Sequence, residues 1–280
     1  VIALIVRATS ELEMSFAISF VILPIAMFAV SILFSMLGQG GGALYTPLQV
    51  YSGIPIHTAA ATSLFLIMVT SLSATVVFRK AKKVDWPLAI VLEIVTGLGG
   101  FLGGLYSRNF SNSALSIFFA IVLFVAAFFM IRKMESKAYD PSTPHDLFHW
   151  RREFDGNSFL VNLPLALPSA FLAGSASGLV GVGGGIINVP LMVVLLGIPV
   201  DVAVGCSAFM VGVTATCGLA GHLIDTHWDW KLALLLAVAV YLGGRIGART
   251  SMSVDKEKLR SGFGWFLILI AVTIIWKALH

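Results

Sequence analysis

The sequence predicts an all-α integral membrane protein: two inverted-topology repeats of transmembrane helices, with broken or re-entrant helices at Gly-rich motifs. Composition, apolar run length and an internal repeat predict it. Hydrophobic residues make up 58% of the 280 and charged residues only 11%, against roughly 25% charge in a soluble domain. The mean hydropathy is +0.95.

A spanning helix needs about 20 apolar residues, and runs near that size lie at 16–37, 56–78, 86–106, 114–131, 159–180, 200–223, 230–248 and 259–276. Two shorter pieces, 43–51 and 186–196, stand between the first and second run of each half and are too short to span comfortably. The net charge of +4 sits in short loops between the runs, so it reads as a topology signal and not as a nucleic-acid surface. Cys206 and Cys217 are eleven residues apart in one run, about 16 Å along a helix, and cannot bridge each other. The first apolar stretch ends at Arg7, too short for a signal-peptide core.

The second half repeats the first. At a shift of 144 residues Gly53 and Pro55 meet Gly197 and Pro199, Ser63 meets Ser207, and Asp85-Trp86 meets Asp229-Trp230. Gly99, Gly100 and Gly103 meet Gly243, Gly244 and Gly247 in the same register. One residue earlier, at 143, Gly40-Gly41-Gly42 and Pro47 meet Gly183-Gly184-Gly185 and Pro190. The first repeat is assigned to 16–133, a polar cytoplasmic linker to 134–158 and the second repeat to 159–279.

Equivalent loops carry opposite charge bias. Arg79, Lys80, Lys82 and Lys83 follow the second run, whereas 222–230 holds no Lys or Arg; Arg108 stands alone against Arg245, Arg249, Lys256, Lys258 and Arg260. By the positive-inside rule the repeats are inverted, each crosses an odd number of times, and both termini lie outside. Either each short piece also traverses, giving five crossings per half and ten in all, or it folds back with the preceding run as a re-entrant hairpin.

The glycine breaks, Gly38-Gln39-Gly40-Gly41-Gly42 and Gly181-Val182-Gly183-Gly184-Gly185, interrupt apolar runs. Such breaks free backbone groups and let a ligand approach closely. In inverted-repeat transporters they meet near mid-membrane. Short helices starting near Ala43 and Ile186 would point N–H groups at an anion there. Neither break is followed by the Lys-Ser or Lys-Thr of a phosphate-cradling loop. Gly99, Gly100, Gly103 and their partners read instead as helix-packing positions.

Thr62 with Ser63, and Cys206 with Ser207, lie about two turns into their helices and are expected near the pseudo-twofold axis. They serve either a ligand or a plain helix contact. Gln39 and Asn188 add amides at the breaks that can donate to an oxyanion. Glu93, whose repeat partner is Ala237, is the clearest intramembrane ionisable residue, a carrier of a coupling proton or a structural hydrogen-bonding group. His57 and His222 read as interface residues, and Arg245 and Arg249 as snorkelling ones. No metal-ligand cluster, cofactor motif or nucleophile–base pair is visible, so an enzyme is the weakest reading.

The two G-x-G-G-G breaks each followed by Pro, the I-P then T-S-L and C-S-A stretches, and G-L-A-G-H-L-I-D-T-H-W-D-W at 218–230 resemble the TauE/SafE family of sulfite and organosulfonate exporters. The resemblance runs from about Phe20 to Leu279. It implies a bacterial inner-membrane carrier moving small sulfur oxyanions such as sulfite or sulfoacetate outward, coupled to an ion gradient. The expected substrate contacts are Gln39, Gly40, Gly41, Gly42, Thr62, Ser63, Gly183, Gly184, Gly185, Asn188, Cys206 and Ser207. The partners expected are a small anion and membrane lipid. The alternatives are a passive anion channel with the same site and a non-transporting membrane assembly protein.

Overall fold

The computed structural model describes residues 21–132, 148–154, 156–180, 184–222 and 230–279. In the first half α1 is Leu23–Met36, α2 Gly42–Tyr51, α3 Ile56–Lys80, α4 Trp86–Tyr106 and α5 Asn112–Ile131. A hairpin follows, β1 His149–Phe154 and β2 Asn157–Asn162. The second half has α6 Leu163–Val180, α7 Gly185–Pro190 with a π turn at Leu191–Leu195, α8 Val200–His222, α9 Trp230–Ser251 and α10 Lys256–Leu279.

Among the described residues four helices are long and apolar enough to cross a membrane: Thr58–Lys80, Trp86–Tyr106, Val200–Ala220 and Trp230–Ser251. Local signals set their ends. Asp85 caps α4 by accepting from the Leu88 amide at 3.4 Å, with Pro87 in the first turn. Arg79 and Lys80 occupy the last turn of α3, where cations favour the helix dipole. At ten residues α2 is about 15 Å long, half of a bilayer core.

One boundary differs from the sequence reading. Residues 159–162, assigned there to the first helix of the second repeat, belong to β2, and the helix begins at Leu163. The strand pairs antiparallel with β1, from His149 against Asn162 to Phe154 against Asn157. Phe159 and Val161 are apolar because they are buried under the second half, with Met192, Leu196, Ile198 and Val202. Most of the remaining linker, 133–147 and 155, lies outside the described residues, as do both chain ends and the 223–229 loop.

Helix pairing follows the repeat. α4 packs on α6 and α8, α9 packs on α1 and α3, and α3 with α8 and α5 with α10 pair across the halves. Under the repeat shift the α4 contacts map onto the α9 contacts. Glycine explains how closely these helices approach. A Cβ at Gly99 or Gly103 would collide with the α6 backbone at Phe171 or Ser175. One at Gly243 or Gly247 would collide with the α1 backbone at Phe28 or Ile32. Small residues let such backbones meet in a membrane. Hydroxyls fasten the same contacts, Ser35 donating to the Gly244 carbonyl at 2.7 Å and Ser251 to that of Met36 at 2.6 Å.

α3 and α8 cross in opposite directions. Leu64 faces Gly218, Ser71 faces Gly212, and the Lys83 backbone just beyond α3 covers Gly205. At that last end the hairpin is tied down: Arg152 of β1 clasps the fully buried Asp85 through Nη2 at 2.6 Å and Nε at 3.0 Å. The Cys206 thiol donates to the Asp85 carbonyl at 3.6 Å. Lys83 pairs with Asp201 at 3.7 Å.

Candidate functional site

The two breaks come together. Gly38, Gly40 and Gly41 have φ of 67°, 69° and 93°, a left-handed conformation that a side chain would strain. They carry the chain from α1 across α8 and α3. A Cβ at Gly38 would collide with the Val204 carbonyl, and one at Gly40 would lie 2.7 Å from both Ser71 Oγ and Val211 Cγ1. Gln39, fully buried, then lies against the second break, where a Cβ at Gly185 would sit 2.5 Å from the Gln39 carbonyl oxygen. This is backbone-to-backbone contact between the halves, at the crossing of α3 and α8.

Each expected residue has a defined surrounding. Gly42 is the buried first residue of α2, and the space in front of Gly41 is filled by the ring of Tyr45. Gly184, at φ 73°, precedes α7 and faces Asn188, whose side chain is buried and whose Nδ2 has no hydrogen-bond partner. Gly183, with Gly181 and Val182, lies outside the described residues.

The pairs Thr62–Ser63 and Cys206–Ser207 have unlike surroundings. Thr62 is buried, while Ser63 Oγ accepts from Gln49 Nε2 at 2.8 Å within its own half. Cys206 turns to the Asp85 carbonyl, and Ser207 is buried with no hydrogen-bond partner for its hydroxyl. The residues that flank Gly40 at the crossing are Ile67, Ser71 and Val211, about one to two and a half turns further along α3 and about one turn further along α8.

Glu93 is buried, and its Oε1 accepts from the Thr214 hydroxyl at 2.9 Å, while Oε2 has no hydrogen-bond partner. It stands at the base of a cavity of about 520 Å³ between α4 and α8, whose apolar walls include Ile90, Ile94 and Phe209, with Cys217 beside it. The methyl of the same Thr214 faces the space in front of Gly184. Thr214 thus stands between the carboxyl group and the second break.

Reasoning from sequence missed Ser177, Thr214 and Tyr45. Ser177, on α6, is buried with an unpartnered hydroxyl, and its Oγ would be 3.5 Å from a Cβ at Gly184. One signal was available: Tyr45 and Asn188 are equivalent at the 143 shift, so the repeat breaks its own pattern four residues after each glycine.

A multi-pass membrane protein with two interrupted segments meeting in its interior belongs to the transporter class, and the comparisons agree. The family model described as sulfite exporter TauE/SafE matches residues 23–274. The chain belongs to this family of membrane transporters. It is 26% identical over 270 residues to the probable membrane transporter protein YunE of Bacillus subtilis, covering 93% of this chain and 99% of that one. It is 27% identical over 266 residues to a probable membrane transporter protein of Methanocaldococcus jannaschii, covering 89% and 93%. Sulfite exporter TauE/SafE family protein 5 of Arabidopsis thaliana shares 28% identity over 173 residues, 58% of this chain and 37% of its own length. No solved structure matches the chain.

Proposed function

We propose that the chain is a secondary transporter of the bacterial inner membrane that exports small sulfur-containing oxyanions, such as sulfite or sulfonates, by alternating access. The observation that carries this is the contact of Gln39 with Gly185, which joins the two breaks inside the bundle. A bare anion at membrane depth is costly unless it is hydrogen-bonded or paired. Of the helices around the breaks, α1, α2, α6, α7 and α8 contain no Lys or Arg and α3 carries them only in its last turn, at Arg79 and Lys80, so compensation comes from neutral donors: backbone N–H groups, hydroxyls and amides. Opposed α3 and α8 support inverted repeats, the loop charges support both termini outside, and α1 with α2, like α6 with α7, folds back as a re-entrant hairpin so that each half crosses an odd number of times. The sulfite-exporter family to which the chain belongs supports the cargo.

Proteoliposomes containing the purified chain should take up sulfite or a small sulfonate saturably, and not Na⁺, K⁺ or sugars. Cation movement with no response to any oxyanion would overturn the proposal, while uptake indifferent to every imposed ion gradient would make the chain a channel.

Glu93 carries the coupling proton in this reading, since Thr214 places it next to the second break. Glu93→Gln should abolish uptake driven by a pH gradient while leaving sulfite binding intact. Unchanged pH-driven uptake would assign Glu93 a packing role with Thr214.

A further inference from the structure

The two breaks are equivalent in sequence but not in the space they enclose. Gly41 and Gly184 correspond at the 143 shift, as do Tyr45 and Asn188, and Thr70 corresponds to Thr214 at 144. In the first half the place in front of the glycine is occupied. A Cβ at Gly41 would collide with the Tyr45 ring and lie 2.7 Å from its hydroxyl, which is hydrogen-bonded to Thr70 Oγ1 at 2.9 Å.

In the second half no ring covers the same place, which is bordered by polar side chains at contact distance. A Cβ at Gly184 would meet Asn188 Nδ2 at 3.4 Å, Ser177 Oγ at 3.5 Å and Thr214 Cγ2 at 3.7 Å, all ordinary contact distances. Asn188 and Ser177 are each 2% exposed, and neither Nδ2 nor Oγ has a hydrogen-bond partner. An unpaired buried donor is unfavourable and calls for an acceptor. Thr214 cannot serve both sides, because its hydroxyl is committed to Glu93 and only its methyl faces the opening.

We infer that the chain holds one oxyanion, in the second half alone, with the Asn188 amide and the Ser177 hydroxyl donating to two of its oxygens beside Gly184, and that Tyr45 fills the equivalent place in the first half. This rests on the transport of oxyanions proposed above and assigns its binding residues. Each part follows from chemistry. An amide Nδ2 donates and cannot accept, so Asn188 favours an acceptor-rich ligand over a cation, and the Ser177 hydroxyl, able to donate or accept, can donate alongside it. Gly184 has no side chain in the way, and its left-handed φ discourages one. Ser177 gains a role as a specificity residue.

Isothermal titration of sulfite into the purified full-length chain tests the assignment, with melting temperature in detergent as the check on folding. The wild type should bind one sulfite per chain. Ser177→Ala and Asn188→Leu should each weaken binding about 10-fold, the worth of one hydrogen bond. Tyr45→Phe, which keeps the ring in place, should leave affinity unchanged. Should Asn188→Leu fail to fold, Asn188→Asp keeps the shape, sets a negative charge against the anion and should abolish binding. Two sulfites per chain, or full affinity in the Ser177 and Asn188 variants, would overturn the single site and leave the transport reading standing. A wild type that binds no oxyanion would overturn both.

Discussion

The first and second breaks differ with the largest consequence at one pair of equivalent positions, Tyr45 and Asn188. Tyr45 closes the first with its own ring, and Asn188 leaves the second open, with Ser177 also pointing an unpaired donor at it. The charge differs in the same direction: Glu93 reaches Thr214 beside the second break, while its repeat counterpart is Ala237 and the counterpart threonine, Thr70, bonds Tyr45. Duplication thus supplies two scaffolds of matching helix contacts. Divergence at a few buried positions leaves one of them with unpaired donors and makes the other a packed joint.

The largest effect tests whether the halves are opposed at all. Single cysteines at Lys82 and Asp225, in a Cys206→Ser/Cys217→Ser background, should react with a membrane-impermeant thiol reagent from opposite sides. Labelling of both from one side would remove the inverted reading.

Next comes the pair of glycines. Gly41→Ala forces a methyl into the Tyr45 ring at a left-handed φ and should destabilise the chain by at least the 1–2 kcal/mol, roughly, of an αL side chain plus overpacking. Gly184→Ala meets no clash and carries only that backbone cost, so it should remain folded yet lose sulfite affinity. Thermal unfolding and titration of both variants separate the two outcomes, and equal behaviour would erase the contrast.

The hairpin makes a further difference between the ends of the molecule. Arg152→Ala leaves Asp85, 0% exposed, without its ion-pair partner, a loss of about 3 kcal/mol for a buried pair. The melting temperature should fall, and Arg152→Lys should recover only part of it because one ammonium cannot reproduce the two-pronged contact. The smallest effect is expected at Ser63, whose bond from Gln49 is local to the first half. Ser63→Ala should cost about 1 kcal/mol of stability and leave sulfite affinity unaltered.

Much of the fold is legible because membrane helices announce themselves by length and apolarity. The runs at 56–78, 86–106 and 230–248 fall within α3, α4 and α9. The glycines at 99, 103, 243 and 247 sit in the close helix contacts that small residues suggest. The hairpin is not legible from apolarity alone: Phe159 and Val161 are buried against the bundle, so a strand at its end continues the apolar run of the following helix. The Asp85–Arg152 pair joins residues 67 apart, and no local pattern marks such a partner.

For the site, the convergence of Gln39 with Gly185 follows from the repeat. The identity of the donors does not. Ser177 lies in a stretch of small residues that reads as helix packing, and only the folded chain sets it beside Asn188. Ser63 and Cys206 satisfy a side chain and a backbone carbonyl nearby, so polar character at the expected depth did not by itself mark a ligand contact.

The most direct test of the difference between the two breaks is a structure of the chain with sulfite bound. The account predicts the anion in front of Gly184, within hydrogen-bonding distance of Ser177 Oγ and Asn188 Nδ2, with the Tyr45 ring still covering Gly41. Sulfite found at Gly41 with Tyr45 displaced, or bound away from both glycine breaks, would contradict it.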